Sequence, residues 1–241
     1  MSRSEGEDTI RKRSGWLIPL GVLLVVVAMS LVFLFFYLVP TPPPLFAEQL
    51  SPTSSTDIVA LDIGGLKLWI PANYLEFDST RRGGVRREVA LFAMLPDLSG
   101  WSNWDAQSFA DNGANSRIVY LLIRQENVSL PEDERLKRIY LGYLADTKGT
   151  PGPFGLTQYA FRADSGYHDQ DLFVGETEHG IALLRCERLG PDNLSPKCLR
   201  DMPLAHGVGI SYRFKRTKLS HWHELADSVE KFVAVIEKPP K

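Results

Sequence analysis

The sequence predicts an α+β fold: a largely antiparallel sheet packed by a mid-chain helix and a C-terminal helix, preceded by one N-terminal transmembrane helix. Three observations carry this expectation. The chain opens with a long uncharged run, continues with short segments rich in β-branched and aromatic residues, and holds two later stretches with apolar residues at helical spacing.

Trp16 to Val39 is a run of 24 residues without a charged side chain. At about 1.5 Å per residue a helix of that length crosses the ~30 Å hydrocarbon core of a bilayer with some tilt. A cleavable signal peptide has a shorter apolar region, about 7 to 15 residues, closed by a small-x-small site. Here the run leads into Pro40, Pro42, Pro43 and Pro44. The expectation is therefore a retained anchor over 16–39, against the competing reading of removal by a peptidase tolerant of long apolar regions. Arg11, Lys12 and Arg13 precede the run, whereas the first charge after it is Glu48, so residues 1–15 are expected to stay as a short cytoplasmic tail. Residues 40–56 read as a Pro/Ser-rich linker. Residues 57–241 then form an exported domain, periplasmic or extracellular, on a single-pass protein of the cell inner membrane.

Within that domain, "VALDIGGLKLWI" has the pattern of a hairpin. A two-residue Gly64-Gly65 turn pairs Ile63 with Leu66, Leu61 with Leu68 and Val59 with Ile70, which puts all six apolar side chains on one face. "REVALFAML" and "SRIVYLLIRQ" are apolar at both parities, as strands covered on two sides are. "GIALLRCERL" and "GVGISYRF" read as further strands, and in the latter Gly209, Ser211 and Arg213 occupy the polar parity. Weaker strand signals lie in "LTQYAFRA" and "DLFVGE". The first helix is expected in "SLPEDERLKRIYLGYLAD", where Ser129 and Glu132 have capping-box spacing and Leu136, Ile139, Tyr140, Tyr143 and Leu144 form a stripe. The second is expected in "LSHWHELADSVEKFVAVIE", with Leu219, Trp222, Ala226, Val229, Phe232, Val233 and Ile236 inward.

Charge narrows the function classes. Beyond residue 40 the chain carries 23 basic side chains against 26 acidic, and nothing in that balance suggests nucleic acid as a partner. The two cysteines, Cys186 and Cys198, stand in "CERLGPDNLSPKC", read as a loop. In an oxidising compartment they are expected to form a disulfide, contributing about 3 kcal/mol on a chain-entropy argument. A redox pair would favour C-x-x-C spacing, and a zinc site would need more ligands nearby.

Chemistry-bearing residues are sparse. "RADSGYHDQD" gathers Asp164, Ser165, His168, Asp169 and Asp171, but neither a calcium-loop spacing nor G-x-S-x-G occurs. His221 and His223 diverge by about 200° if their segment is helical. No cofactor, metal or catalytic set is expected from these residues. Two stretches qualify as partner surfaces. "RRGGVRREV" could present Arg81, Arg82, Arg86 and Arg87 from a hairpin tip. "LPDLSGWSNWDAQSFADNGANS" holds Trp101, Trp104 and Phe109 in a long loop. The functional expectation is a macromolecule-binding module facing a protein partner at the cell envelope, as a toxin-immunity factor or an accessory subunit of an envelope complex. The alternative is an envelope hydrolase with its site near Ser165 and His168.

Overall fold

The structure, a computed structural model, describes residues 15–38, 49–126 and 130–240 and divides the chain into two units, 1–48 and 49–241. The flanking Arg11, Lys12 and Arg13, the Pro40–Pro44 spacer and Ser129 of the expected capping box lie outside the described residues.

In the first unit α1 (Leu17–Leu38) is a helix of 22 residues, long and apolar enough to cross a membrane, and its described side chains are exposed. In the second unit the chain runs through β1 (Ile58–Ile63), β2 (Leu66–Pro71), α2 (Asp78–Arg81), β3 (Gly84–Arg86) and β4 (Glu88–Met94). It continues through α3 (Ala106–Ala110), β5 (Ile118–Gln125), α4 (Glu132–Arg138), β6 (Thr150–Pro151), β7 (Thr157–Ala160) and β8 (Gln170–Thr177). It ends with β9 (Gly180–Glu187), β10 (Lys197–Pro203), β11 (Val208–Lys215) and α5 (Trp222–Ile236). The fold is α+β. An eight-stranded sheet in the order β4-β5-β11-β10-β9-β8-β7-β6 is antiparallel at every pairing, and β2-β1-β3 form a smaller sheet.

The small sheet starts from the Gly64-Gly65 turn, where φ is 60° and 92°, values that glycine adopts at no steric cost. Its register joins Ile63 to Leu66, Leu61 to Leu68 and Val59 to Ile70, and all six side chains are buried. They meet one face of the large sheet. That face presents Val89 and Leu91 from β4, Leu121 and Ile123 from β5, Ile210 and Tyr212 from β11, and Leu184 from β9. Helix α5 covers the same face through Trp222, Leu225, Val229, Val233 and Ile236. Gly175 on β8 makes room for the indole, since a Cβ there would stand 2.4 Å from the ring of Trp222, whose Nε1 donates to the Phe154 carbonyl at 3.0 Å.

The opposite face is covered only in patches. Phe92, Met94 and Ile118 lie under the α3 segment, while Leu172 and Leu183 lie under Tyr140, Leu144 and Phe161. The middle, over β5, β11 and β10, is open.

Three expectations are corrected. Helix α4 stops at Arg138, and Tyr140–Tyr143 form a 3-10 turn instead of prolonging it. Tertiary contact is the cause, because the turn delivers Tyr140 edge-on to Phe161 and Tyr167, at centroid distances of 6.0 and 5.8 Å. "RRGGVRREV" is not a hairpin tip: Arg81 ends α2, and β3 pairs with β1 in parallel. The cysteines do not sit in a loop. They face each other on β9 and β10, with their sulfurs at bonding distance and their Cα atoms 4.0 Å apart.

The β9–β10 pairing is unusually short, comprising only Cys186 with Cys198 and Arg185 with Leu199. Beyond it the strands part, and the carboxylate of Glu132 enters from the start of α4. Its Oε1 accepts the Leu183 backbone N–H at 2.8 Å and Arg200 Nε at 3.0 Å, and its Oε2 accepts Arg200 Nη2 at 2.8 Å. A side chain thus stands in for the missing strand partner, which satisfies an otherwise stranded N–H and a guanidinium only 2% exposed.

Candidate functional site

Alternation along the central strands sets the open face. With Val208, Ile210, Tyr212 and Phe214 turned into the core, β11 must turn Ser211 and Arg213 outward. By the same rule β5 offers Leu122 and Arg124, and β10 offers Leu199 and Asp201. Helix α4 contributes Arg135 and Ile139 as one wall. These groups line a cavity of about 400 Å³, and a second of about 310 Å³ continues it towards Glu76, Tyr120, Lys197 and Lys215. Leu122 and Arg213 line both, so the two cavities form one cleft across the sheet.

Most charges in the cleft are already answered. Asp201 accepts Ser211 Oγ at 2.5 Å and Arg185 Nη2 at 3.3 Å, with Arg135 Nη1 at 4.0 Å. The Arg185 guanidinium rests over the rings of Tyr140 and Tyr167 at 5.9 and 5.5 Å. Lys215 is buried and donates to the carbonyl and Oδ1 of Asn112, at 2.8 and 2.9 Å, and to Ser195 Oγ at 2.7 Å. Burial, reinforced by Lys197, pulls its pKa down. Burial pushes the Glu76 carboxyl up to about 7, against the opposing pull of Arg213. Arg213 itself is exposed, and no described residue hydrogen-bonds or ion-pairs with it.

Beside the cleft lies an apolar cavity of about 200 Å³, built from Phe92, Trp101, Ala106, Phe109 and Tyr120 and bordered by Leu50 and Pro52. The chain preceding β1 therefore already runs along the body of the domain, and Ser51 N donates to the Glu76 carbonyl at 3.0 Å. Phe109 packs edge-on to Phe92 with centroids 4.9 Å apart, and Trp101 is half-buried, whereas Trp104 is 96% exposed. The structure thus divides the expected aromatic surface into two inward rings and one outward one.

The arginine surface divides likewise. Arg81 donates to Asp78 Oδ1 at 3.3 Å and to the Leu75 carbonyl at 3.2 Å, and Arg86 donates to the Ser79 carbonyl at 2.8 Å. Arg82 and Arg87 are exposed.

The Ser165–His168 pair does not assemble. Ser165 is buried and its hydroxyl donates to the Arg162 carbonyl at 2.8 Å, while His168 Nδ1 lies 3.1 Å from the Ser165 carbonyl rather than its Oγ. Asp171 receives Arg188 and Arg216, each at 2.9 Å. Among the described residues no group of three or more His, Cys, Asp or Glu side chains could hold a metal ion.

The residues missed from sequence are those on α4, β9 and β10 that complete the cleft. Arg213 was readable as outward-facing, but one of its two strand neighbours is β10, which has no strand-like pattern.

No protein-family model matches the chain, and no curated protein matches it in sequence. Among solved structures, an immunity protein of the Stenotrophomonas maltophilia type IV secretion system is similar with a TM-score of 0.52 at 17% identity, over 76% of this chain and 94% of that one. The Neisseria meningitidis iron-regulated outer membrane lipoprotein FrpD is similar with a TM-score of 0.47 at 15% identity, over 78% of this chain and 97% of that one. At 17% identity the likeness to the immunity protein is one of fold.

Proposed function

We propose that the chain is a membrane-anchored binding protein whose residues 49–241 lie outside the cytoplasm and hold a protein partner there. Immunity against a toxin is the favoured role, with service as an accessory subunit of an envelope complex as the second. The observation that carries the binding reading is the cleft: an open concavity on the large sheet, flanked by two apolar covers, with Arg213 at its centre making no hydrogen bond or ion pair among the described residues and only the longer-range pull of Glu76 and Tyr120 upon it. Rigid, pre-formed and partly charged surfaces suit protein recognition because little ordering is needed on binding. The fold likeness to an immunity protein favours the first role. The uncharged helix α1 supports anchoring through residues 16–39, and the facing cysteines are read as a disulfide formed on the oxidising side. Trp104, Arg82 and Arg87 are proposed as outer contacts, and Trp101 and Phe109 as walls of the apolar cavity. Ser165 and His168 are not proposed as a hydrolytic pair, since the hydroxyl is committed to a carbonyl.

The test is a contact competition. A strain lacking this chain is grown against its own parent, with and without the chain restored. An immunity protein's loss makes the mutant die beside the parent, and restoration rescues it. Equal survival removes the immunity role.

A further inference from the structure

The chain carries a net charge of −2, yet its open sheet face gathers cations. The larger cavity sets four arginines against two carboxylates, and the adjoining one sets Arg213, Lys197 and Lys215 against Glu76 alone. Asp201 and the Asn112–Ser195 pair answer several of these charges. Arg213 differs. It stands where the cavities meet, on a strand paired on both sides, Tyr120 opposite it on β5 and Leu199 on β10. Its backbone is therefore fixed while its guanidinium faces solvent. A planar fork of N–H donors that makes no hydrogen bond among the described residues fits a carboxylate, which can accept two parallel hydrogen bonds.

We propose that the cleft receives an extended acidic segment of the partner protein, with one Asp or Glu carboxylate bidentate on Arg213. This inference rests on the protein-binding reading above and adds the chemistry of what is bound. Volume favours a peptide over a small anion, because adjoining cavities of about 400 and 310 Å³ accommodate several side chains. Two of the outward positions are small, Ala90 and Ser211 on either side of Leu122, and leave room for a backbone above the sheet. The apolar cavity under α3 shares Glu76 and Tyr120 with the second cavity, so it receives an apolar side chain from the same segment. The bound stretch thus reads acidic residues followed or preceded by one apolar anchor.

The full chain, held in nanodiscs of zwitterionic phosphatidylcholine, is titrated with a fluorescein-labelled nonapeptide of alternating glutamate and alanine ending in leucine. A lysine counterpart and inorganic phosphate serve as rivals. The glutamate peptide binds, weakens as salt rises, and loses at least about tenfold in affinity with Arg213→Glu but less with Arg213→Lys. Lys231→Glu, exposed on α5 across the sheet from the cleft, leaves binding unchanged. Equal binding by Arg213→Glu, equal binding of the lysine peptide, or displacement by phosphate at peptide-like concentrations would overturn the proposal, the last by making the cleft a small-anion site. A photo-crosslinker at Trp104 separates the two readings. A specific envelope protein captured equally by wild type and Arg213→Glu, with peptide binding unaltered, leaves protein binding standing and removes the acidic segment. Peptide binding through Arg213 with no envelope protein captured removes the protein partner instead.

Discussion

Glu132 shows how one side chain can hold two elements. Replacing it with Ala leaves Arg200 charged and buried with only the Tyr212 hydroxyl at 3.3 Å and the weaker Glu230 contact at 3.7 Å, and strands the Leu183 N–H. A loss of roughly 3–5 kcal/mol is expected, measured by urea denaturation, and the double change Glu132→Leu with Arg200→Met should lose less because no lone charge remains. Glu76 works in the opposite direction. Burial raises its folded pKa to about 7 from 4.5, so the folded state holds its proton more tightly than the unfolded chain does. Its favourable contribution is fully present below about pH 4.5 and is lost as pH rises through 7. Glu76→Gln should therefore stabilise the protein at pH 8 by about 1 kcal/mol, discounted for partial exposure, and do little at pH 4, as thermal melts at both values would reveal. At this scale the sequence was partly legible. The parity of "GVGISYRF" puts Arg213 outward, whereas no local pattern says that Glu132 would reach a strand 51 residues away.

Strands with a regular apolar rhythm were legible as elements, and the β1–β2 register follows directly from the Gly-Gly turn. β10 was not legible, for a physical reason. Its "KCLRDMP" places Arg200 on the core face, a buried charge that Glu132, the Tyr212 hydroxyl 3.3 Å from Arg200 Nη1 and Glu230 at 3.7 Å make tolerable. Helix α4 was overextended because its stripe continues in sequence while the chain turns to place Tyr140. The cysteines matter most where the ladder is shortest. Cys186→Ser with Cys198→Ser, or reduction of the native chain, should remove about 2–4 kcal/mol and speed amide exchange in β9 and β10 more than in β4 and β5. Equal acceleration across the sheet would refute that ordering. Gly175→Ala should cost stability too, since the added methyl meets the Trp222 ring; a lowered melting temperature and altered tryptophan fluorescence are the readouts.

For the whole molecule, the fold class and the apolar helix were legible because both rest on composition and period, whereas the cleft was not, because it joins residues from five strands and a helix. The proposed topology predicts that alkaline phosphatase fused after residue 241 is active in cells and that a cytosol-requiring reporter at the same point is dark. The opposite pattern would place residues 49–241 inside. The parting of β9 from β10 has one more consequence. Arg185 and Asp201, which grip each other within the cleft, belong to opposite sides of that gap. Across this line the two parts of the large sheet are joined by the cysteine pair, the Glu132 carboxylate and the Arg185–Asp201 contact, and the line passes through the cleft. With the thiols free, the two halves are expected to spread along that line and the cleft to widen, which amide exchange of β9 and β10 in oxidised and reduced chains would register.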